Sequence, residues 1–219
     1  FCNSGAEANE AAIKLARKYA KVKYCPEKVE IITALDSFHG RTLAAITATG
    51  QPKYQKGFEP LPAGFKYVPF NDLQALTEAI GPKTCAVMLE PIQGEGGYIV
   101  PPQKAVDALA ELAHEKNILI ICDEVQSGMG RTGKMWASDH FGLVPDLFST
   151  AKGIASGMPL SATVARKDLM NWHVGAHAST FGGNPVAIAA ALKTIELLEG
   201  GLIENAAKQG EYLMEGLRR

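Results

Sequence analysis

The chain has 219 residues, above the roughly 150-residue prior for one domain, so one large domain or a domain with a piece of a second is expected. Its 47% hydrophobic and 21% charged residues exclude disorder and low complexity as its main character. Twenty-two Lys and Arg against 23 Asp and Glu, a net charge of -1, offer no general grip on nucleic acid or on an acidic membrane.

The first predicted element is a helix over 5–24. Ser4 followed by Glu7 spells a capping box and sets its start. The small residues Gly5 and Ala6 leave backbone N–H groups outward at a helix end that attracts anions, although a plain cap accounts for the same residues. Strands follow over 29–34 (VEIITA) and 65–70 (FKYVPF), then a helix over 71–80, a strand over 84–90 (TCAVMLE) and a helix over 102–117. Strands over 118–124 (ILIICDE), 147–150 (LFST) and 161–165 (SATVA) precede helices over 185–199 and from about 202. This alternation predicts an α/β fold with a mostly parallel sheet between helices. Parallel sheets carry their chemistry beyond the carboxyl ends of the strands, where Glu90, Asp123 and Lys152 fall. Asp123 closes an apolar strand, and a partly desolvated carboxylate requires a cationic partner from the protein or a ligand.

The remaining signals are weaker. Cys2, Cys25, Cys85 and Cys122 are scattered without a CxxC pair, the pattern of reduced thiols. No apolar run reaches the ~20 residues of a membrane span and no basic-then-apolar leader opens the chain, so a soluble, cytoplasmic protein is expected. GMGRTGK (128–134) has the glycine and lysine spacing of a nucleotide P-loop but continues with Met135 where Ser or Thr would hold magnesium, and reads as a glycine-rich loop. His173 and His177 have helical metal-pair spacing, but Gly175 intervenes and no third ligand is at hand, so no metal is expected. Phe1 stands where a start would carry Met, and GEYLMEGLRR stops inside a helical pattern, from which an internal fragment is expected.

Lys152, between a short strand and a glycine-rich stretch, reads alone as a solvated surface lysine. Taken together, a helix-end anion site, the aromatic pair Phe38 and His39, a buried carboxylate and an inward lysine meet the needs of pyridoxal 5'-phosphate. That cofactor wants N–H groups for its phosphate, a carboxylate for its ring nitrogen, an amine for its aldehyde and an aromatic face for its ring.

SGAEANEAA, FHGRT, EPIQGEGG, DEVQSGMGRTG, STAKG and TFGGNP, in this order, resemble the class III (omega-amino) aminotransferases, which include acetylornithine, ornithine and 4-aminobutyrate aminotransferases. The resemblance runs through essentially the whole chain. It implies the three-layer α/β/α large domain of fold-type I pyridoxal-phosphate enzymes, with a seven-stranded, mostly parallel sheet over 1–219, lacking the family's N-terminal segment and C-terminal small domain. By this resemblance Lys152 joins the cofactor aldehyde and later carries the proton, and Asp123 pairs with the ring nitrogen. Val125 and Phe38 flank the ring, and Gln126 bonds its phenolic oxygen. Gly5 and Ala6 amides with the Ser4 hydroxyl hold the phosphate, while Thr180 reaches the phosphate of a neighbouring subunit and Ser179 its substrate site, which implies a homodimer. Arg41 matches the arginine that grips a substrate carboxylate, and Glu95 the glutamate that pairs with a second arginine from the small domain. Glu90 is expected to be structural.

The implied reaction moves an amino group from an omega-amino donor to 2-oxoglutarate, giving an aldehyde and glutamate. The stretch from Gly50 to Asp72 and the opening helix resemble acetylornithine aminotransferases, whereas GIASGMPLSA after Lys152 is nearer the 4-aminobutyrate and ornithine enzymes. The same cofactor residues also suit racemisation or decarboxylation, and a non-catalytic cofactor-binding fragment is the third reading.

Overall fold

A computed structural model describes residues 1–219. The chain runs α1 (Gly5–Lys23), β1 (Glu30–Ala34), α2 (Leu43–Ala48), α3 (Pro52–Gln55), β2 (Phe65–Val68), α4 (Leu73–Ala79), β3 (Thr84–Leu89), α5 (Gln103–Lys116), β4 (Leu119–Asp123), β5 (Leu147–Thr150), β6 (Ala162–Ala165), α6 (Pro185–Leu197) and α7 (Ile203–Leu217). Apolar residues of alternating parity sort onto two faces of the sheet, as a period of two requires. Ile31, Met88, Ile121 and Leu147 pack with Leu15 and Ala16 of α1. Ile32, Val87, Leu89, Ile120 and Cys122 pack on the other side against Leu76 of α4 and Val106 and Leu109 of α5. Helices therefore cover both faces, giving a three-layer α/β/α architecture. The centre of the sheet is predominantly apolar, and all of β3 is buried.

The sheet has six strands in the order β2-β1-β3-β4-β5-β6. This corrects the seven strands that the resemblance implied. The first five are parallel neighbours, and β6 pairs antiparallel with β5, Leu147 opposite Ala165. Chain direction across the sheet reverses at β1: β2 lies on one side of it and β3 on the other. Such a switch point opens a crevice beyond the carboxyl ends of the strands.

The predicted helices are all present, with ends moved by a few residues. The helix expected over 71–80 contracts to Leu73–Ala79 because the Asp72 side chain caps it, accepting from Ala75 N at 2.9 Å. Two short helices, α2 and α3, lie where no helix was expected; segments this brief carry too few turns to show a period. α2 is started from outside: Glu10 of α1 accepts from Thr42 Oγ1 at 2.6 Å and from the backbone N–H of Ala44 and Ala45 at 2.9 and 3.2 Å. α6 packs Ala187 and Ala191 on Ile154, Ala155 and Leu160, bracing the turn that begins at Lys152. It continues through a wide turn at Leu198–Leu202, with Gly201 at φ 123°, into α7, which buries no residue. No helix is long and apolar enough to cross a membrane.

Replacing Ile121, fully buried at the middle of β4, by Ala should cost about 2–5 kcal/mol in urea unfolding of the protein that carries this chain. Val22→Ala on the exposed face of α1 should change stability by less than about 0.5 kcal/mol.

Candidate active site

Beyond the carboxyl ends of β1, β3, β4 and β5 lies a cleft of about 400 Å³, lined among others by Gly5, Ala6, Asp123, Val125 and Lys152. Asp123 ends β4 and is 3% exposed. Its Oδ2 accepts from Asn9 Nδ2 at 2.7 Å and from His39 Nδ1 at 2.8 Å. Its Oδ1 accepts from Val125 N at 3.0 Å, with Ser149 Oγ 3.4 Å away. These donors compensate what burying a carboxylate costs. Glu90, just past β3, is also buried in the cleft wall, where it accepts from Phe38 N and Gly94 N, both at 3.2 Å. It ties the loop after β1 to the loop after β3.

One wall of the cleft is the N-terminus of α1. The capping box is formed: Glu7 N donates to Ser4 Oγ at 3.3 Å, while the Glu7 carboxylate accepts from Ser4 N at 3.0 Å and Asn3 N at 2.5 Å. The cap and the anion site, alternatives in the sequence, coexist. The cap engages Asn3, Ser4 and Glu7, while the backbone N–H groups of Gly5 and Ala6 have no acceptor in the chain and border the cleft. Two glycines make the close packing here feasible. A Cβ on Gly5 would lie 2.7 Å from Val125 Cγ1, and one on Gly40, at φ +135°, would lie 2.6 Å from Ala6 Cβ. Helix end, strand end and the FHGRT loop therefore meet at van der Waals distance.

Lys152 enters the same cleft from the end of β5. Its φ of 44° lies in the left-handed region, unusual for a residue with a side chain and an arrangement that clusters at functional sites. The ammonium donates to Gln126 Oε1, which lies on the segment following Asp123. That segment is fixed by Glu124, which is 1% exposed and turned away from the cleft. Its carboxylate accepts from Ser127 Oγ at 2.5 Å and from the backbone N–H of Ala137 and Ser138 at 3.1 and 2.8 Å. It thereby closes the GMGRTG loop onto the start of a 3₁₀ turn at Ala137–His140.

Arg41 and Phe38 stand at the mouth. The Arg41 guanidinium lies 4.1 Å from the centre of the Tyr54 ring and 5.5 Å from that of Phe38, and the two rings meet edge to face at 5.8 Å. Glu95 is exposed and also lines the cleft. Of the residues singled out from the sequence, Ser4, Gly5, Ala6, Phe38, Arg41, Glu95, Asp123, Val125, Gln126 and Lys152 line this one cleft. Ser179 and Thr180 do not. Ser179 accepts from Asn3 Nδ2 at 2.8 Å at the cleft's edge, and Thr180 is exposed.

His177 stacks on Trp172 with ring centres 5.5 Å apart and lies 3.1 Å from Lys14 Nζ. Cys2, Cys85 and Cys122 are buried free thiols and Cys25 is half-buried. Sequence reasoning missed Asn9, Glu10, Glu124 and Ser149. Asn9 had a signal: it stands among Ala8, Ala12, Ile13 and Ala16 on the inward face of α1, where a polar residue needs a buried partner.

The site's electrostatics centre on His39. Burial pushes its imidazole pKa down, but the hydrogen bond to Asp123 and the charges of Asp123 and Glu90 outweigh burial and hold it above the ordinary 6.5. Its Nε2 finds no partner in the chain. Glu90 is held above the usual carboxylate range by burial, only partly offset by His39 and by the N–H groups of Gly94 and Phe38.

A mostly parallel sheet with a helix N-terminus, a carboxylate and a lysine converging beyond its strand ends is an enzyme-like site, and comparison with known proteins gives the family. Residues 1–219 match the family described as aminotransferase class-III, and the chain belongs to it. It is 54% identical over 218 residues to the acetylornithine aminotransferase of Caldanaerobacter subterraneus subsp. tengcongensis, covering 99% of this chain and 56% of that protein. To the acetylornithine aminotransferase of Methanothermobacter thermautotrophicus it is 52% identical over 221 residues, covering 100% of this chain and 55% of that one. Among solved structures, a transaminase from the marine bacterium Virgibacillus superposes with a TM-score of 0.94 at 34% identity, over 99% of this chain and 53% of the other. An ornithine aminotransferase from Toxoplasma gondii, with partial occupancy of PLP at its active site, gives 0.94 at 38% identity over 99% and 53%. The chain spans about half the length of the curated relatives it matches.

Because the folded state favours protonated His39, its contribution to stability is fully present below the unfolded pKa of about 6.5 and is lost as pH rises through the higher folded value. Urea unfolding should therefore find His39→Gln most destabilising near about pH 6 and less so near about pH 9. A cost that is flat with pH would contradict this charge assignment.

Proposed function

We propose that the protein carrying this chain is a pyridoxal-phosphate-dependent aminotransferase and that residues 1–219 form its cofactor-binding large domain. One observation carries the reading: the carboxylate of Asp123 and the amine of Lys152 line the same cleft as the free N–H groups of Gly5 and Ala6. The donor set suits the cofactor. Paired N–H groups at a helix N-terminus suit a phosphate, and a buried carboxylate suits a protonated ring nitrogen. Phe38 and Val125 supply apolar contacts for a ring, and Lys152 supplies the amine. When bound, pyridoxal phosphate supplies an aldehyde that exchanges amines and a ring that stabilises the carbanion left when a proton departs from the substrate carbon.

The chain's own residues do the rest. Gly5 and Ala6 N–H, with the Ser4 hydroxyl, hold the phosphate. Asp123 keeps a proton on the ring nitrogen, and Gln126 bonds the phenolic oxygen once Lys152 leaves it. Lys152 Nζ takes the proton from the amine-bearing carbon of the donor and, in the second half-reaction, returns one to the carbon of the acceptor. Arg41, its fork held against two aromatic rings, grips the donor carboxylate. Glu95 would pair with an arginine contributed from outside these residues.

The donor favoured is N-acetylornithine, by likeness to the relatives named acetylornithine aminotransferase. The acceptor is 2-oxoglutarate and the products are an aldehyde and glutamate. Thr180, on an exposed loop, would reach the phosphate of a partner subunit and Ser179 its substrate site, so the working form is a homodimer, in the cytoplasm.

The purified protein should show a visible absorbance band of the bound cofactor, and Lys152→Ala should abolish it; an unchanged band would overturn the assignment of the lysine. In a half-reaction screen with N-acetylornithine, ornithine and 4-aminobutyrate, the first should react fastest. Arg41→Lys, which keeps charge but loses the fork, should raise the KM for that donor by about tenfold or more with a smaller change in kcat.

A further inference from the structure

Asn9 lies one helical turn beyond Ala6 on α1 and is 1% exposed. Every hydrogen-bonding group on its side chain is engaged. Nδ2 donates to Asp123 Oδ2 at 2.7 Å and to the His39 carbonyl at 2.7 Å, and Oδ1 accepts from Ser149 Oγ at 2.6 Å. Only a side chain with two N–H donors and an acceptor at this length meets all three demands. An aspartate here would offer no donor and would set a second carboxylate against Asp123. An apolar residue would strand the polar groups around it.

The same contacts divide the two oxygens of Asp123. Oδ2 receives two donors, Asn9 and His39, and is saturated. Oδ1 has one close donor, Val125 N at 3.0 Å. The single hydroxyl proton of Ser149 is engaged by Asn9 at 2.6 Å and is not free for Oδ1 at 3.4 Å. Oδ1 therefore retains a lone pair.

We infer that Asn9 is a positioning residue: it ties Asp123 to the helix whose N-terminus takes the phosphate, and it leaves Oδ1 as the oxygen presented to the cofactor's ring nitrogen. This deepens the cofactor reading above and rests on it. A helix is stiff, so one side chain a turn below Gly5 and Ala6 sets the spacing between the phosphate donors and the carboxylate. The support comes from a rigid element, as precise placement of a charged group requires.

The test is a binding comparison on the apo form of the full-length protein. Tryptophan fluorescence would be titrated with pyridoxal phosphate and, separately, with 1-deazapyridoxal 5'-phosphate, in which carbon replaces the ring nitrogen. The wild type should prefer the first. Asn9→Ser and Asn9→Asp should weaken pyridoxal phosphate by about tenfold or more while changing the deaza compound by less than about twofold, so that the preference collapses. In an Asp123→Asn background, Asn9→Ser should leave the ratio of the two affinities unchanged. If one Asn9 variant does not fold, the other is read, and His39→Gln, which removes the second donor to Oδ2, should reduce the preference in the same direction. Equal weakening of both compounds by the Asn9 variants would mean a merely structural role and overturn the inference. A wild type without preference would instead overturn the pairing of Asp123 with the ring nitrogen on which the inference stands.

Discussion

A carboxylate at the end of a buried strand is the constraint around which this structure is organised. Asp123 is buried at the end of β4, and an isolated charge there would be costly. The compensation comes from three places in the chain: Asn9 on α1, itself held by Ser149 on β5, His39 in the loop after β1 and Val125 immediately downstream. Satisfying one group thus brings together elements that are far apart in sequence, and the same convergence builds the cleft. Lys152 and the α1 N-terminus become neighbours because β4 and β5 pair in register and α1 packs across them.

The N-terminus of α1 carries two roles without conflict because they use different groups. Glu7 returns to the backbone of Asn3 and Ser4, holding the start of the helix. The N–H groups of Gly5 and Ala6 remain outward, and the glycine allows Val125 to approach within contact distance. Glu10, a turn lower, anchors the start of α2 and so holds the FHGRT loop against the same helix end. Three polar residues on one helix, Glu7, Asn9 and Glu10, therefore stabilise the helix start, the carboxylate and the loop that carries Phe38 and Arg41.

Much of this was legible in the sequence because it rests on local signals. The apolar runs of β1, β3 and β4 read as buried strands, and Ser4 with Glu7 marked the start of α1. The motifs around Phe38, Asp123 and Lys152 marked residues that fold into one cleft. The less legible features depend on long-range contacts. α2 forms because Glu10 supplies its first hydrogen bonds, a partner more than thirty residues away. Glu124, next to Asp123 in the chain, faces the opposite way, because consecutive residues leaving a strand point to opposite sides, and its partners Ala137 and Ser138 lie more than ten residues downstream. The antiparallel β6 and the count of six strands reflect pairing, which a run of SATVA does not encode by itself. Ser179 and Thr180 lie outside the cleft lining, and their proposed role needs a second subunit.

The account stands on Asp123 acting as an ionised acceptor for a protonated ring nitrogen. The most direct measurement is the ¹⁵N NMR signal of ring-labelled pyridoxal phosphate bound to the full-length protein at neutral pH. The account predicts the shift and one-bond proton coupling of a protonated ring nitrogen in the wild type and their loss in Asp123→Asn. An unprotonated ring nitrogen in the wild type, with Asp123 intact, would contradict it.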